Sequence, residues 1–128
     1  MIPNDRRYTK DHEWVMMEGD TATIGLTDYA QRMLGDIVFV ELPQPGDPIE
    51  AGGRVAVVES VKAASDVLSV PAGEVIEANA ALEDAPETVN SDPWGAWIAR
   101  VRVTVWNENE LLDPAAYEAL VKEEEEKA

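Results

Sequence analysis

The sequence predicts a mainly β domain, a sandwich of two antiparallel sheets with short flanking helices and a helix closing the chain. Three observations predict it. Short runs of β-forming residues alternate apolar with polar side chains and are separated by turn signals. A weak internal repeat matches Gly46-Asp47-Pro48-Ile49-Glu50-Ala51 to Gly73-Glu74-Val75-Ile76-Glu77-Ala78 at a constant offset. Two such β units can pack about a pseudo-twofold axis, each covering the other's apolar face, so the repeat is expected to relate the two sheets. Helical spacing flanked by capping residues shows around residues 28–34 and again at 114–124.

Taken in order, Thr21 to Leu26 alternates, with Ala22, Ile24 and Leu26 on one face, and reads as a half-buried strand. Thr27-Asp28 offers an N-cap with Gln31 three residues after Asp28, and Gly35 supplies the stop of a short helix. Ile37 to Leu42 is a strand closed by Pro43-Gln44-Pro45-Gly46. Between the repeat copies, Ala56 to Glu59 and Ala64 to Leu68 read as two strands joined by the tight turn Ser60-Val61-Lys62-Ala63. Trp97, Ala99, Val101, Val103 and Val105 line one face of a later strand, with Arg100, Arg102 and Thr104 on the other. Asp113-Pro114 is an N-cap followed by a first-turn proline, and Tyr117, Leu120 and Val121 follow at helical spacing. Glu123 to Glu126 are expected to continue that helix as a frayed, solvated end.

Composition narrows the function. A chain of 128 residues, 45% apolar, suits one domain over 1–128, with an acidic tail at about 122–128. No apolar run reaches membrane-spanning length and the N-terminal segment lacks a signal-type hydrophobic region, so no membrane role is expected and the location expected is cytoplasmic. A net charge of −16 repels nucleic acid and attracts partners with basic docking surfaces. There is no cysteine and one histidine, His12, so disulfides, thiolate sites and histidine-pair metal centres are out of reach, and no metal site is expected. His12 itself, beside aromatic residues, reads as structural. An enzyme in its own right is a poor reading of so few catalytic side chains. Group-transfer or redox chemistry would need an attached cofactor to bring the reactive atoms.

One lysine stands apart by its position. The lysines are Lys10, Lys62, Lys122 and Lys127, and only Lys62 lies away from the chain ends. It sits on the turn, among the small residues Ser60, Ala63 and Ala64, with Glu59 and Asp66 as flanking acids. By composition alone such a lysine is an ordinary solvated charge. The string Glu59-Ser60-Val61-Lys62-Ala63, however, resembles the lipoylation hairpin of lipoyl domains, in which an acid stands three residues before the lysine and a small residue follows it. Biotin carriers place methionines on both sides, where this chain has Val61 and Ala63. Acyl carriers use a serine at a helix start, and Ser60 lies in a hairpin.

The wider chain resembles the H-protein family of the glycine cleavage system. Tyr8-Thr9-Lys10-Asp11-His12-Glu13-Trp14 is similar to the family's opening signature. Ile24 to Gln31, Leu34-Gly35-Asp36, Val40 to Pro43 and Val58 to Asp66 agree as well. One segment departs. The family reads Asn, two residues, Pro-Tyr-Gly, one residue, Gly-Trp, whereas Asn90-Ser91-Asp92-Pro93-Trp94-Gly95-Ala96-Trp97 has Trp for Tyr and one residue fewer. That departure bears on the shape of the loop and on a partner contact rather than on the family.

The resemblance implies a lipoyl-domain-like barrel-sandwich hybrid and a non-catalytic carrier with lipoic acid on Lys62 as N6-lipoyllysine. It implies four partners: the P protein (a pyridoxal-phosphate glycine decarboxylase), the T protein (a tetrahydrofolate-dependent aminomethyltransferase), the L protein (dihydrolipoyl dehydrogenase) and a lipoate-attaching enzyme. Lysine plus lipoyl spans about 12–15 Å, long enough to fold back on its own domain. Glu13 is the candidate carboxylate for the charged amine at its tip, against the plainer reading of a surface acid beside Trp14. Two other readings stay open: a related carrier relaying lipoate to 2-oxoacid dehydrogenases, and an unmodified β-rich interaction module.

Overall fold

The computed structural model describes residues 2–105 and 110–127, and Trp106, one of the four tryptophans, lies outside them. In chain order the strands are β1 (Arg7–Tyr8), β2 (Glu13–Glu18), β3 (Thr21–Leu26), β4 (Ile37–Glu41), β5 (Pro48–Ile49), β6 (Gly53–Ser60), β7 (Ala64–Ser69), β8 (Ala72–Ala78) and β9 (Ala99–Val105). The helices are α1 (Asp28–Leu34), α2 (Ala81–Asp84), α3 (Thr88–Ser91) and α4 (Pro114–Lys127). They form two antiparallel sheets, one of six strands in the order β1-β2-β3-β9-β8-β5 and one of three in the order β4-β6-β7. This is the mainly β sandwich with short helices that the alternation predicts.

Between the sheets lies a core of Val15, Ile24, Val58, Val67, Val75, Ile98 and Val101, all almost wholly shielded from solvent. A second, aromatic cluster of Tyr8, Trp14, Tyr29 and Tyr117 with Val121 fixes α4 against the opening strands. Tyr8 and Tyr117 stack with ring centroids 4.7 Å apart. That second cluster corrects the reading of β3. The strand is buried on both faces, Thr23 and Gly25 included, and at Gly25 the indole of Trp14 lies where any side chain would collide.

The helix ends follow the sequence signals. Thr27 is the N-cap of α1, its hydroxyl accepting from the Ala30 N–H at 3.2 Å, and Gly35 ends the helix at φ 80°, a conformation that suits glycine. Asp113 caps α4 by accepting from the Ala116 N–H at 2.8 Å. The expected fraying from residue 123 is absent: α4 runs to Lys127, and Glu124 and Glu125 reach His12 and Arg32 on other elements.

Two expectations are overturned in register. The repeat does not give one copy to each sheet. Its copies lie side by side in the larger sheet, with Pro48 opposite Glu74 and Ile49 opposite Gly73, so the local twofold runs between them. Segments this short pair edge to edge more readily than they build separate sheets, and Gly73 leaves the backbone of Arg102 room to approach. The apolar face of β9 also ends early. Ala99 and Val101 are buried, but Val105 is 61% exposed, because the pairing with β3 stops at Arg102. Trp97 precedes the strand, and the guanidinium of Arg100 lies 4.0 Å from its ring centroid.

Candidate functional site

The turn carrying Lys62 is built by its own serine. Ser60 N–H donates to the Ala63 carbonyl at 2.8 Å, closing a tight connection between β6 and β7. The Ser60 hydroxyl accepts from the N–H groups of Lys62 and Ala63, each at 3.1 Å, and donates to the Ala63 carbonyl at 3.2 Å. A short hydroxyl side chain that satisfies its own turn is the reason for serine here. Val61, Lys62 and Ala63 all point into solvent, Val61 at 67% exposure. The tip is held from outside the hairpin by Val61 N–H donating to the Asp36 carbonyl at 3.0 Å. The lysine stem passes over Gly35, whose missing Cβ would lie 3.4 Å from Lys62 Cε.

Glu59 and Asp66, the flanking acids, share the outer face of the small sheet. Glu59 faces Ala64 and Phe39, and two rows along Asp66 faces Val57, with Arg54 4.0 Å from its carboxylate. Both are exposed and neither touches Lys62's amine. They set the charge around the lysine without holding it.

Glu13 is not a surface acid. Its exposure is 2%, and both carboxylate oxygens are engaged: Oε1 accepts from the Thr9 hydroxyl at 2.6 Å and Oε2 from the Leu68 N–H at 3.1 Å. The Thr9 hydroxyl in turn accepts from the Asp11 and Glu13 N–H groups at 3.2 and 3.1 Å. Burial raises the Glu13 pKa above its usual value, while the bonds from Thr9 and Leu68 pull the other way. The carboxylate lines a cleft of about 400 Å³ with Thr9, Gly52, Leu68 and Ser69, and Lys10 and Glu110 also line it. It is a cavity that suits a slender chain ending in a positive group.

His12, next to Glu13, takes the structural role. It adopts φ 71°, the only positive value outside glycine among the described residues. Its Nδ1 lies 2.8 Å from the Tyr117 hydroxyl, and its Nε2 2.8 Å from a Glu124 carboxylate oxygen with no other partner. Tyr117 continues the chain to the Thr27 hydroxyl at 2.7 Å. With Nε2–H facing Glu124, the order runs Thr27 O–H to Tyr117 O–H to Nδ1, and a neutral imidazole satisfies the row. Burial lowers the His12 pKa, with Glu124 opposing the shift.

Sequence reasoning singled out Lys62 and Glu13 but missed what holds Glu13. Thr9 stands in the same opening segment as Glu13, yet nothing in the string says that its hydroxyl turns inward. The donor Leu68 N–H lies on a strand whose approach to β2 only the fold reveals. Among the described residues no cluster of three metal-ligating side chains occurs, and no helix is long and apolar enough to cross a membrane.

Comparison with known proteins identifies the family. Residues 6–124 match the family model described as "Glycine cleavage H-protein". The chain is 53% identical to a glycine cleavage system H protein of Thermus thermophilus over 125 residues, covering 96% of this chain and 98% of that one. It is 49% identical to the H protein of Escherichia coli O7:K1 over 126 residues, at 96% and 98% coverage. Its fold is similar to the crystal structure of the H protein from Mycobacterium marinum, with TM-score 0.85 and 40% identity over 92% of this chain and 97% of that one.

Proposed function

The chain belongs to the glycine cleavage H-protein family, and from that premise we propose how its residues divide the work of a lipoyl carrier. A member of this family is a non-catalytic component of the glycine cleavage system that shuttles an aminomethyl group and reducing equivalents. In this chain Lys62 carries the lipoyl group and Glu13 receives the amine of the aminomethyl cargo. The P, T and L proteins are the enzymes it serves in turn, after a lipoate-attaching enzyme has modified Lys62.

Bound through an amide at Lys62, a lipoyl group supplies a disulfide that takes up the aminomethyl group with two electrons and is later reoxidised. The chain's own residues do the rest. Ser60 closes the turn, so that Lys62 stands clear of neighbouring side chains where an enzyme can reach its amine. Between visits Glu13 offers a carboxylate oxygen to the amine at the wall of the cleft, and seating the aminomethyl group there shields it from hydrolysis. β7 carries the backbone from Lys62 to Leu68 over about 20 Å. An arm of about 12–15 Å, extended by its cargo and a hydrogen bond of ~3 Å to Glu13, has that reach.

The observation that carries the reading is the pairing of a bare, exposed lysine on a self-closed turn with a buried carboxylate one strand-length away. The test is peptide mapping after co-expression with a lipoate ligase. The mass of one lipoyl amide is expected on the fragment containing Lys62 and is expected to vanish in Lys62→Arg. Finding it on Lys10 or Lys122 would overturn the assignment.

A further inference from the structure

We propose that Asn90, which touches neither Lys62 nor the cleft, is a positioning residue for the modification of Lys62. It sets the direction in which the hairpin tip presents the lysine. The proposal rests on the reading that Lys62 is the lipoylated residue.

The side-chain amide of Asn90, on α3, is committed wholly to the turn between α1 and β4. Its Nδ2 donates to the Gly35 carbonyl at 2.9 Å and to Gln31 Oε1 at 3.0 Å, and its Oδ1 accepts from the Ile37 N–H at 2.9 Å. These partners bracket Asp36 on both sides. Asp36 in turn offers its carbonyl to the Val61 N–H, and Gly35 lies under the Lys62 stem. The contacts therefore form one line: Asn90, the 35–37 turn, Val61, Lys62.

Each link is needed because its neighbours cannot fix themselves. Gly35 at φ 80° has no side chain and a wide conformational choice, so the turn has little stiffness of its own. Ser60 closes the hairpin through bonds within residues 60–63. The tip leans on the body through the end of the β4–β6 ladder, where Ile37 stands opposite Ser60 and the Asp36 carbonyl takes the Val61 N–H, the end that Asn90 braces at Ile37. Only an amide offers two donors and an acceptor on one planar group, which is what a carbonyl, an amide oxygen and an N–H together require. Asn90 also heads the loop through Trp97, so the loop that departs from the family pattern is anchored at its first residue to the lysine's support.

Without Asn90 the tip would still form but would spend part of its time leaning away. An attaching enzyme would then meet its required geometry in a fraction of molecules, which raises the apparent KM for the carrier and leaves kcat nearly unchanged. One lost brace of this kind predicts an increase in KM of about five- to tenfold.

The experiment measures lipoate-ligase kinetics with unmodified full-length carrier as the substrate, together with amide hydrogen exchange. Wild type is compared with Asn90→Ala, Asn90→Asp and the control Asn79→Ala. Asn90→Asp keeps the shape and the acceptor for Ile37 but loses both donors, and serves where the alanine variant is too unstable. Asn79 donates to the Trp97 carbonyl at 2.8 Å from the far end of the same region and has no bond to the 31–37 turn. The Asn90 variants are expected to raise KM with kcat retained and to expose the Val61 amide to exchange, while the Ser60 amide stays protected. Asn79→Ala is expected to change neither. Unchanged KM and Val61 protection in the Asn90 variants would overturn the proposal, as would an equal effect from Asn79→Ala. Failure of the wild type to gain lipoate at Lys62 would instead sink the reading on which it rests.

Discussion

On the proposed reading two turns of this protein each present one working side chain, and they are built in opposite ways. The Ser60–Ala63 turn closes on itself, leaves its residues in solvent and sends Lys62 outward. The Thr9–His12 turn is folded inward, closed by Thr9 N–H to the Glu13 carbonyl and His12 N–H to the Thr9 carbonyl, at 2.9 and 3.1 Å. It buries Glu13 with both oxygens engaged and ties His12 to the C-terminal helix. The difference separates access from shelter. A lysine that several enzymes must reach is kept free of side-chain partners, at almost no cost in stability. The carboxylate proposed to hold the amine is buried, which raises its pKa, and the bonds from Thr9 and Leu68 oppose that shift.

Substitutions can break the comparison, and their expected effects fall from complete to negligible. Lys62→Arg is expected to abolish lipoylation while leaving the melting temperature within a degree or two of wild type, since the side chain is exposed at the tip of the turn. Mass spectrometry and thermal denaturation check the two halves of that statement. Thr9→Val deletes the hydroxyl that serves Glu13, Asp11 and the Glu13 amide. It should cost about 1–3 kcal/mol in urea unfolding and raise the Glu13 pKa further, because the bond that favours the ionised form is gone.

His12→Asn keeps a residue type tolerant of φ 71° but removes the ring, and a smaller loss of about 1–2 kcal/mol is expected. The sign of its pH dependence follows from burial. The folded-state pKa of His12 lies below its ordinary 6.5, so the unfolded chain binds the proton first. The His12 contribution is therefore complete above pH 6.5 and is lost as pH falls through the folded value. Urea titrations of wild type should show that loss over this window, and His12→Asn should lack it. Val61→Thr, at the exposed tip, is expected to shift stability by no more than about 0.5 kcal/mol.

How far these two turns could be read from sequence follows the same divide. The tip is local: its hydrogen bonds run between residues 60 and 63, and small residues around a lone internal lysine announce it. The alternating strands and the capped helices are local too, and α1 spans the residues its Thr27 and Gly35 signals mark. The sheltered turn is not local. Glu13 needs Leu68, and His12 needs Tyr117 and Glu124, partners that come from β7 and α4. The same reason explains the misread faces. Burial of Gly25 depends on Trp14 arriving from β2, and exposure of Val105 on where β3 stops. The β-bulge between Ile37 and Phe39, which leaves both Val38 and Phe39 exposed, is likewise set by the register with β6. Asn90 was legible as a family motif residue, but its grip on the 31–37 turn was not.

The central claim is that the exposed turn loads the cargo and the buried turn keeps it. The direct test is the decay rate of aminomethyl-loaded protein, alone in solution, for wild type and Glu13→Gln at equal pH. Lipoylation of Lys62 should be the same in both, because the bonds that close the turn stay within residues 60–63, at the far end of β7 from Leu68. Loss of one charge-assisted hydrogen bond should release ammonia and formaldehyde about tenfold to a hundredfold faster from the variant. In wild type the protection should fade as pH drops toward the raised pKa of Glu13, since only the ionised carboxylate holds the amine as a charge pair. Equal decay rates in the two proteins would contradict the account and leave Glu13 as a buried brace of β7 with no part in holding the cargo.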